Sequence, residues 1–204
     1  METKLVKFNS NEAKEALRNG EVIAFPTETV FGLAVRYDSK EAYDKLVAVK
    51  RRPPDKPFTL MGGKDFKFED FAILNDRAKK VIAKFVPGPI TLLLKPKEGL
   101  ADYLTLKGNT IGIRVSSSSR LQNFITEVGC PLLVPSANKS SEKPGLTAEE
   151  VYDVFNGEIP FIVDEECDGQ KPSTIVDLSD ENTIRLIRQG DLPFEEIKKV
   201  YEEN

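Results

Sequence analysis

The chain is 204 residues long, 40% apolar and 30% charged, with a net charge of −4; that balance supports one folded domain and excludes a disordered chain. Histidine is absent, which removes every Ser-His and Cys-His mechanism and the commonest metal ligand. No apolar run approaches the roughly 18 residues of a membrane span, and no secretory leader is visible, so the sequence reads as soluble and cytoplasmic.

In chain order, Asn11–Asn19 reads as a short helix stopped by Gly20, and Val22–Phe25 as a buried strand running into Pro26. Ser39 is placed to cap a helix reaching about Val49, with Ala42, Leu46 and Val49 on one face. Phe58–Met61 looks extended. Asn75 can cap a helix over Asp76–Phe85, which ends before Pro87-Gly88-Pro89. Ile90–Leu94 and Thr110–Val115 read as strands, Ser118–Val128 as a helix and Leu132–Val134 as a strand. Thr147-Ala-Glu-Glu150 is a capping box. Phe161–Val163, Thr174–Leu178 and Ile184–Ile187 look extended, and the acid-rich segment from Asp191 onward reads as a solvated terminal helix. The alternation is α/β, too irregular for a simple Rossmann repeat.

The common phosphate-loop, dinucleotide, HExxH and GxSxG signatures are missing. Cys130 and Cys167 are too far apart for a CxxC motif and too few for a zinc site, so they read as two reduced thiols. An acidic chain is not built to coat nucleic acid, although a local basic patch can still hold an anion.

What remains is a set of polar strand ends. In Phe25-Pro-Thr-Glu-Thr-Val-Phe-Gly-Leu33, hydroxyls and a carboxylate at a strand end suit a small polar ligand; taken alone, the segment reads first as a Thr-rich turn. In Lys50-Arg-Arg-Pro-Pro-Asp-Lys-Pro57, Lys50 and Arg52 would project to one side of an extended segment, with Lys56 adding a third cation for a polyphosphate. A solvated basic loop is the plain alternative there. In Thr110-Ile-Gly-Ile-Arg-Val115, Thr110, Gly112 and Arg114 share a face; Arg114 can grip a carboxylate, or can simply be a surface arginine on an edge strand. Leu132-Leu-Val-Pro-Ser-Ala-Asn138 delivers Ser136 and Asn138 to a loop, as a ligand contact or an Asx/Ser turn. Pro172-Ser-Thr-Ile-Val-Asp177 and Arg185-Leu-Ile-Arg-Gln-Gly190 complete the set. Cations on several segments without a histidine base suit nucleotidyl or phosphoryl transfer driven by positioning and charge.

The ordered set resembles the YrdC-like family of L-threonylcarbamoyl-AMP synthases. The matching elements are Pro26–Leu33, the Lys-x-Arg of Lys50 and Arg52, Pro87-Gly-Pro-Ile-Thr91, Thr110–Arg114, the Ser-x-Asn of Ser136 and Asn138, and Ser173–Asp177 with the later Arg188. The resemblance covers about residues 8–192 as one domain, with 193–204 as an acidic helix that is part of it or appended to it. It implies a single twisted mixed sheet flanked by helices, with a concave cationic cavity. It also implies three substrates, ATP (with Mg²⁺ on the nucleotide and no dedicated protein metal site), L-threonine and bicarbonate or CO₂. The products would be threonylcarbamoyl-AMP and pyrophosphate, the adenylate passing to a transferase complex that modifies adenosine 37 of tRNA.

By motif match, Lys50 and Arg52 would be catalytic. Arg52, Lys56, Thr110, Ser136, Asn138 and Arg188 would bind ATP. Thr29, Arg114 and Ser173 would bind L-threonine. Met61 stands where some relatives carry a histidine. Phe58-Thr-Leu-Met61 is similar to a YciO-like paralogue group, which tends to lack the full Lys-x-Arg plus Ser-x-Asn set found here. Such a paralogue, or an RNA-binding module making a weak tRNA contact, is the alternative; the net charge disfavours strong nonspecific RNA binding.

Overall fold

A computed structural model describes residues 2–51, 56–167, 169 and 171–203. The first half runs β1 (Lys4–Val6), α1 (Asn11–Arg18), β2 (Ile23–Phe25), β3 (Gly32–Arg36), α2 (Lys40–Lys50), β4 (Leu60–Gly62), β5 (Ala72–Ile73) and α3 (Asp76–Phe85). The second half runs β6 (Ile90–Pro96), α4 (Asp102–Thr105), β7 (Ile111–Val115), α5 (Ser119–Val128), β8 (Leu132–Leu133), α6 (Ala148–Phe155), β9 (Phe161–Val163), β10 (Thr174–Asp177), β11 (Arg185–Arg188) and α7 (Phe194–Glu202).

Except for α4 and α7, which start after Ala101 and Pro193 without a side-chain cap, the helices begin where the sequence offers a side-chain acceptor. Ser39, Asn75, Ser118 and Thr147 each accept a hydrogen bond from the backbone N–H three residues on, which satisfies one orphan donor of the first turn. At Thr147 the Glu150 carboxylate also reaches back, accepting from the Leu146 N–H at 2.7 Å.

The strands join one mixed sheet in the order β1-β9-β2-β3-β8-β4-β7-β6-β10-β11, with β5 attached to β6 off this path. β1/β9, β9/β2, β4/β7 and β6/β10 are parallel. The other pairs are antiparallel, which is why no regular βαβ repeat appears in the sequence. The expected single α/β sheet with flanking helices is what the chain forms. β1 joins β9 in the register Lys4↔Phe161, so the start of the chain pairs with a strand near its end.

Strand alternation sorts side chains onto two faces. Ala24, Leu33, Val35, Leu60, Leu133, Ile111, Ile113, Leu92 and Val176 feed one large apolar core, shared with α2, α3, α6 and α7. The opposite face is covered over only part of its width. There, Ile23, Phe25, Ala34, Met61 and Leu132 pack under α1 and α5, around the rings of Phe8, Phe25 and Phe124 with centroids 5.5–6.4 Å apart. Past β4 the same face carries Arg114 and Gly112 from β7, Thr91 and Leu93 from β6, and Ile175 from β10, with no described helix over them; these residues line a cavity.

Three sequence expectations change. Lys50 is the last residue of α2 rather than part of an extended run, and Arg51 caps the helix in a left-handed conformation with φ 49°; the expected shared face with Arg52 lies outside the described residues. Arg114 sits on a central strand between β4 and β6 and is 7% exposed, so it is not an edge-strand surface arginine. The terminal helix α7 is not solvated all round, because Ile197 and Tyr201 are buried and it packs against α3.

Candidate functional site

The open part of the face is a cavity of about 700 Å³, within the range that holds a nucleotide-sized ligand. Its floor is sheet; its walls are the loop before β3, the C-terminal end of α2, the loop after β8 and the turn that enters β10. From the threonine set, Thr29, Arg114 and Ser173 line it. From the nucleotide set, Lys56, Thr110, Ser136, Asn138 and Arg188 line it, and so does Lys50 of the catalytic pair. Arg52 lies outside the described residues. Segments more than 150 residues apart in sequence thus meet in one hollow, which short-range reasoning alone does not require.

At one end the Arg114 guanidinium is anchored from below. Its Nη2 donates to Thr29 Oγ1 at 2.9 Å and pairs with Glu28 Oε2 at 3.0 Å. The Arg114 and Glu28 side chains are 8% and 7% exposed, so neither charge is shielded by water. Glu28 is itself fixed: Ser116 Oγ and the Ser117 N–H (3.2 Å) donate to its two oxygens. Thr27 and Thr29 share a hydroxyl hydrogen bond of 2.9 Å, and Thr27 Oγ1 also donates to the Val30 carbonyl at 2.7 Å. The Thr-rich turn and the ligand-facing loop are therefore one object. Arg114 Nε is buried and has no hydrogen-bond partner among the described residues, a state that costs about 1–3 kcal/mol.

Cys167 and Gly169 hold this loop from the other side. Cys167 Sγ donates to the Thr27 and Thr29 carbonyls, each at 3.1 Å. A side chain at Gly169 would lie 2.5 Å from the Glu28 carbonyl oxygen and 2.7 Å from Thr29 Cα, so only glycine permits this approach.

In the middle of the cavity, Lys50 ties α2 to the Ser-x-Asn loop. Its Nζ donates to the Ser136 carbonyl (2.8 Å), the Asn138 carbonyl (3.1 Å) and Asn138 Oδ1 (2.9 Å). Ser136 Oγ donates to the same Oδ1 at 2.6 Å. The Asn138 amide donates to the carbonyls of Lys139 and Glu142. The loop is pinned to β3 by backbone bonds from Leu33 N–H to Pro135 O and from Ala137 N–H to Phe31 O. Lys50 thus sits buried at the cavity wall with its charge solvated by loop carbonyls and an amide oxygen.

At the far rim, β11 places Arg188 over the entrance to β10. Its Nε and Nη2 donate to the Ser173 carbonyl at 3.2 and 3.0 Å, and Nη2 also reaches Ser173 Oγ at 3.2 Å. Ser173 Oγ lies 2.8 Å from Thr91 Oγ1 on the floor. Burial, and then the like charge of Arg114, push the Arg188 pKa below the usual guanidinium value; the two arginines face a common space. Gly190 makes the arm possible, since a side chain there would meet the Pro172 carbonyl oxygen at 2.1 Å.

Lys50, Lys56, Arg114 and Arg188 give the lining four cations; among the described lining residues Glu142 is the only acid. Such a basin concentrates anions and stabilises charge that develops on phosphate oxygens. Among the described residues no group of three or more His, Cys, Asp or Glu side chains is placed to hold a metal ion, and no helix is long and apolar enough to cross a membrane. The sequence places the Glu28 carboxylate with the hydroxyls as a ligand contact, but it pairs with Arg114, Ser116 and Ser117 instead and does not line the cavity; Thr59 and Glu142 become visible as lining residues only when the strands are assembled.

A single-domain α/β sheet with a cationic, histidine-free pocket on one half of one face defines a narrow class of fold. Residues 15–190 match the Sua5/YciO/YrdC family model, described as telomere recombination. The chain belongs to this family. A threonylcarbamoyl-AMP synthase of Histophilus somni is 34% identical over 90% of this chain and the whole of its own length. One from Photobacterium profundum is 32% identical over 89% of this chain and 99% of its own. The crystal structure of P. abyssi Sua5 complexed with L-threonine superposes with a TM-score of 0.88 at 32% identity, covering 94% of this chain. This chain spans 57% of that archaeal protein's length.

Proposed function

We propose that the chain is an L-threonylcarbamoyladenylate synthase. The observation that carries this reading is the convergence of Thr29, Lys50, Arg114, Ser136, Asn138, Ser173 and Arg188 on one cationic cavity; the names of the full-length relatives support it.

Threonine would lay its carboxylate against Arg114, beside Thr29 and Ser173. Its free amine adds to CO₂: the N–C bond forms as one C=O π pair moves onto oxygen, the amine gives up a proton to solvent, and a carbamate anion results. A carbamate oxygen then attacks the α-phosphorus of ATP, and the bond to the β,γ-diphosphate breaks with pyrophosphate leaving. Lys50, Arg52, Lys56 and Arg188 neutralise the phosphate oxygens, as an in-line displacement requires, while Thr110, Ser136 and Asn138 hold the nucleotide. Mg²⁺ enters as part of the nucleotide substrate and adds to this neutralisation. No side chain forms a covalent intermediate, which fits a chain without histidine. The adenylate would pass to a tRNA threonylcarbamoyl transferase complex.

The test is to incubate the purified chain with ATP, threonine and bicarbonate and to follow pyrophosphate, AMP and the adenylate by mass spectrometry. Adenylate formation that needs all three substrates is expected. ATP binding without threonine-dependent turnover would favour the non-synthase paralogue reading, and steeply salt-sensitive RNA binding without turnover the RNA-binding reading.

A further inference from the structure

Glu28 lies in the loop that carries Thr29, yet its geometry does not suit a ligand contact. Oε2 takes the Arg114 guanidinium at 3.0 Å and the Ser116 hydroxyl, and Oε1 takes the Ser117 N–H at 3.2 Å. Both oxygens are thus engaged by β7 and the turn that follows it, and the side chain is 7% exposed. Ser116 in turn accepts from the Ser118 N–H at 3.1 Å, at the cap of α5. A rigid chain of contacts therefore runs from the start of α5 through Ser116 and Glu28 to Nη2 of Arg114. The guanidinium is bolted at Nη2 by Glu28 and Thr29, while its Nε is left without a partner.

We propose that Glu28 is a positioning residue for threonine recognition. It locks the Arg114 guanidinium in one orientation at the wall of the cavity that Arg114 lines, so that the plane is already set when the amino-acid carboxylate arrives. Arginine gains specificity from its planar fork only when that plane is held, and a free Arg114 side chain would lose that advantage to rotamer freedom. The inference rests on the reading of Arg114 as the carboxylate site.

Glu28→Gln keeps the shape and removes the charge-assisted anchor. On wild-type enzyme with demonstrated activity, we expect this variant to raise the KM for threonine about tenfold or more, with the KM for ATP within about twofold. Ser116→Ala, which loosens Glu28 from one side only, should move the threonine KM in the same direction by less, and it serves as the readout if Glu28→Gln does not fold. Inhibition by 1-amino-2-propanol, which lacks the carboxylate, should be equal in wild type and variant. An unchanged threonine KM overturns the proposal. So does a parallel rise in both KM values, as general loosening would give. So does tighter threonine binding, the sign expected if Glu28 merely offset the Arg114 charge. Absence of threonine-dependent turnover in the wild type would instead refute the synthase reading itself.

Discussion

One face of the sheet is built in two ways. Over β2 and β3 its residues are Phe25 and Ala34, and α1 and α5 cover them, with Met61 of β4 packed beside them at the edge of the cavity. Over β7, β6 and β10 the equivalent residues are Arg114, Thr91 and Ile175, and they look into a cavity. The alternation of the strands is the same in both halves; what differs is the cover. Where a helix lies on the sheet, apolar side chains leave water and hold it there. Where none does, the face can carry cations and hydroxyls, provided each is supported from the side by loops. The site is thus the part of the core left unroofed.

The sharpest way to break this contrast is Arg114→Ala. It leaves Glu28 buried without its partner, a change that typically costs about 3–5 kcal/mol. For a chain of this size the melting temperature should fall by roughly 10 °C, and threonine-dependent turnover should be lost. Melting curves and adenylate formation read the two effects together. Phe124→Ala, in the roofed half, should cost a similar 3–5 kcal/mol or so. At a temperature where the variant is still folded, its KM values should match wild type, because no ligand-facing group moves. A large KM change there would erase the distinction between the halves.

Arg188→Ala tests the open half at its exposed rim. Loss of charged hydrogen bonds worth about 1.5–3 kcal/mol should raise the KM for ATP roughly tenfold to a hundredfold, with little change in melting temperature. The smallest effect concerns the base of the same arm. Burial raises the Asp177 pKa, but hydrogen bonds from the Ser179 hydroxyl and N–H, with Arg185, more than offset this and hold the carboxyl below its usual value. A depressed carboxylate stabilises the fold above its unfolded pKa, about 3.9, and that contribution is lost as pH falls through the folded value. Asp177→Asn should therefore lower stability at pH 7, and the gap to wild type should close below about pH 4 in denaturant titrations.

Much of this organisation was legible in the sequence, and for local reasons. The caps at Ser39, Asn75 and Thr147 are decided by residues within one turn. The α/β alternation and the polar strand ends could be read one segment at a time. β1 escaped because it is three residues long, with Lys4 and Leu5 exposed, and β3 because Gly32–Val35 is apolar throughout and only its last residue, Arg36, is polar, which leaves no alternation to read. The strand order depends on pairings between distant segments, and so does the burial of Arg114. Its pairing with Glu28, 86 residues earlier, has no periodic trace. In Pro26-Thr-Glu-Thr29 the hydroxyls and the carboxylate look alike as ligand contacts in sequence, yet the carboxylate serves the protein rather than the ligand cavity.

The parallel pairing of Lys4–Val6 with Phe161–Val163 has a consequence for biosynthesis. The first strand leaves the ribosome long before its only neighbour in the sheet exists. At about 5–20 residues per second, that strand waits on the order of ten seconds with its backbone unsatisfied. During that interval the nascent chain exposes Leu5 and Val6 to whatever chaperone or neighbouring polypeptide it meets. Closure of this margin of the sheet waits until synthesis has passed Val163, whatever has already formed around α2 and β4.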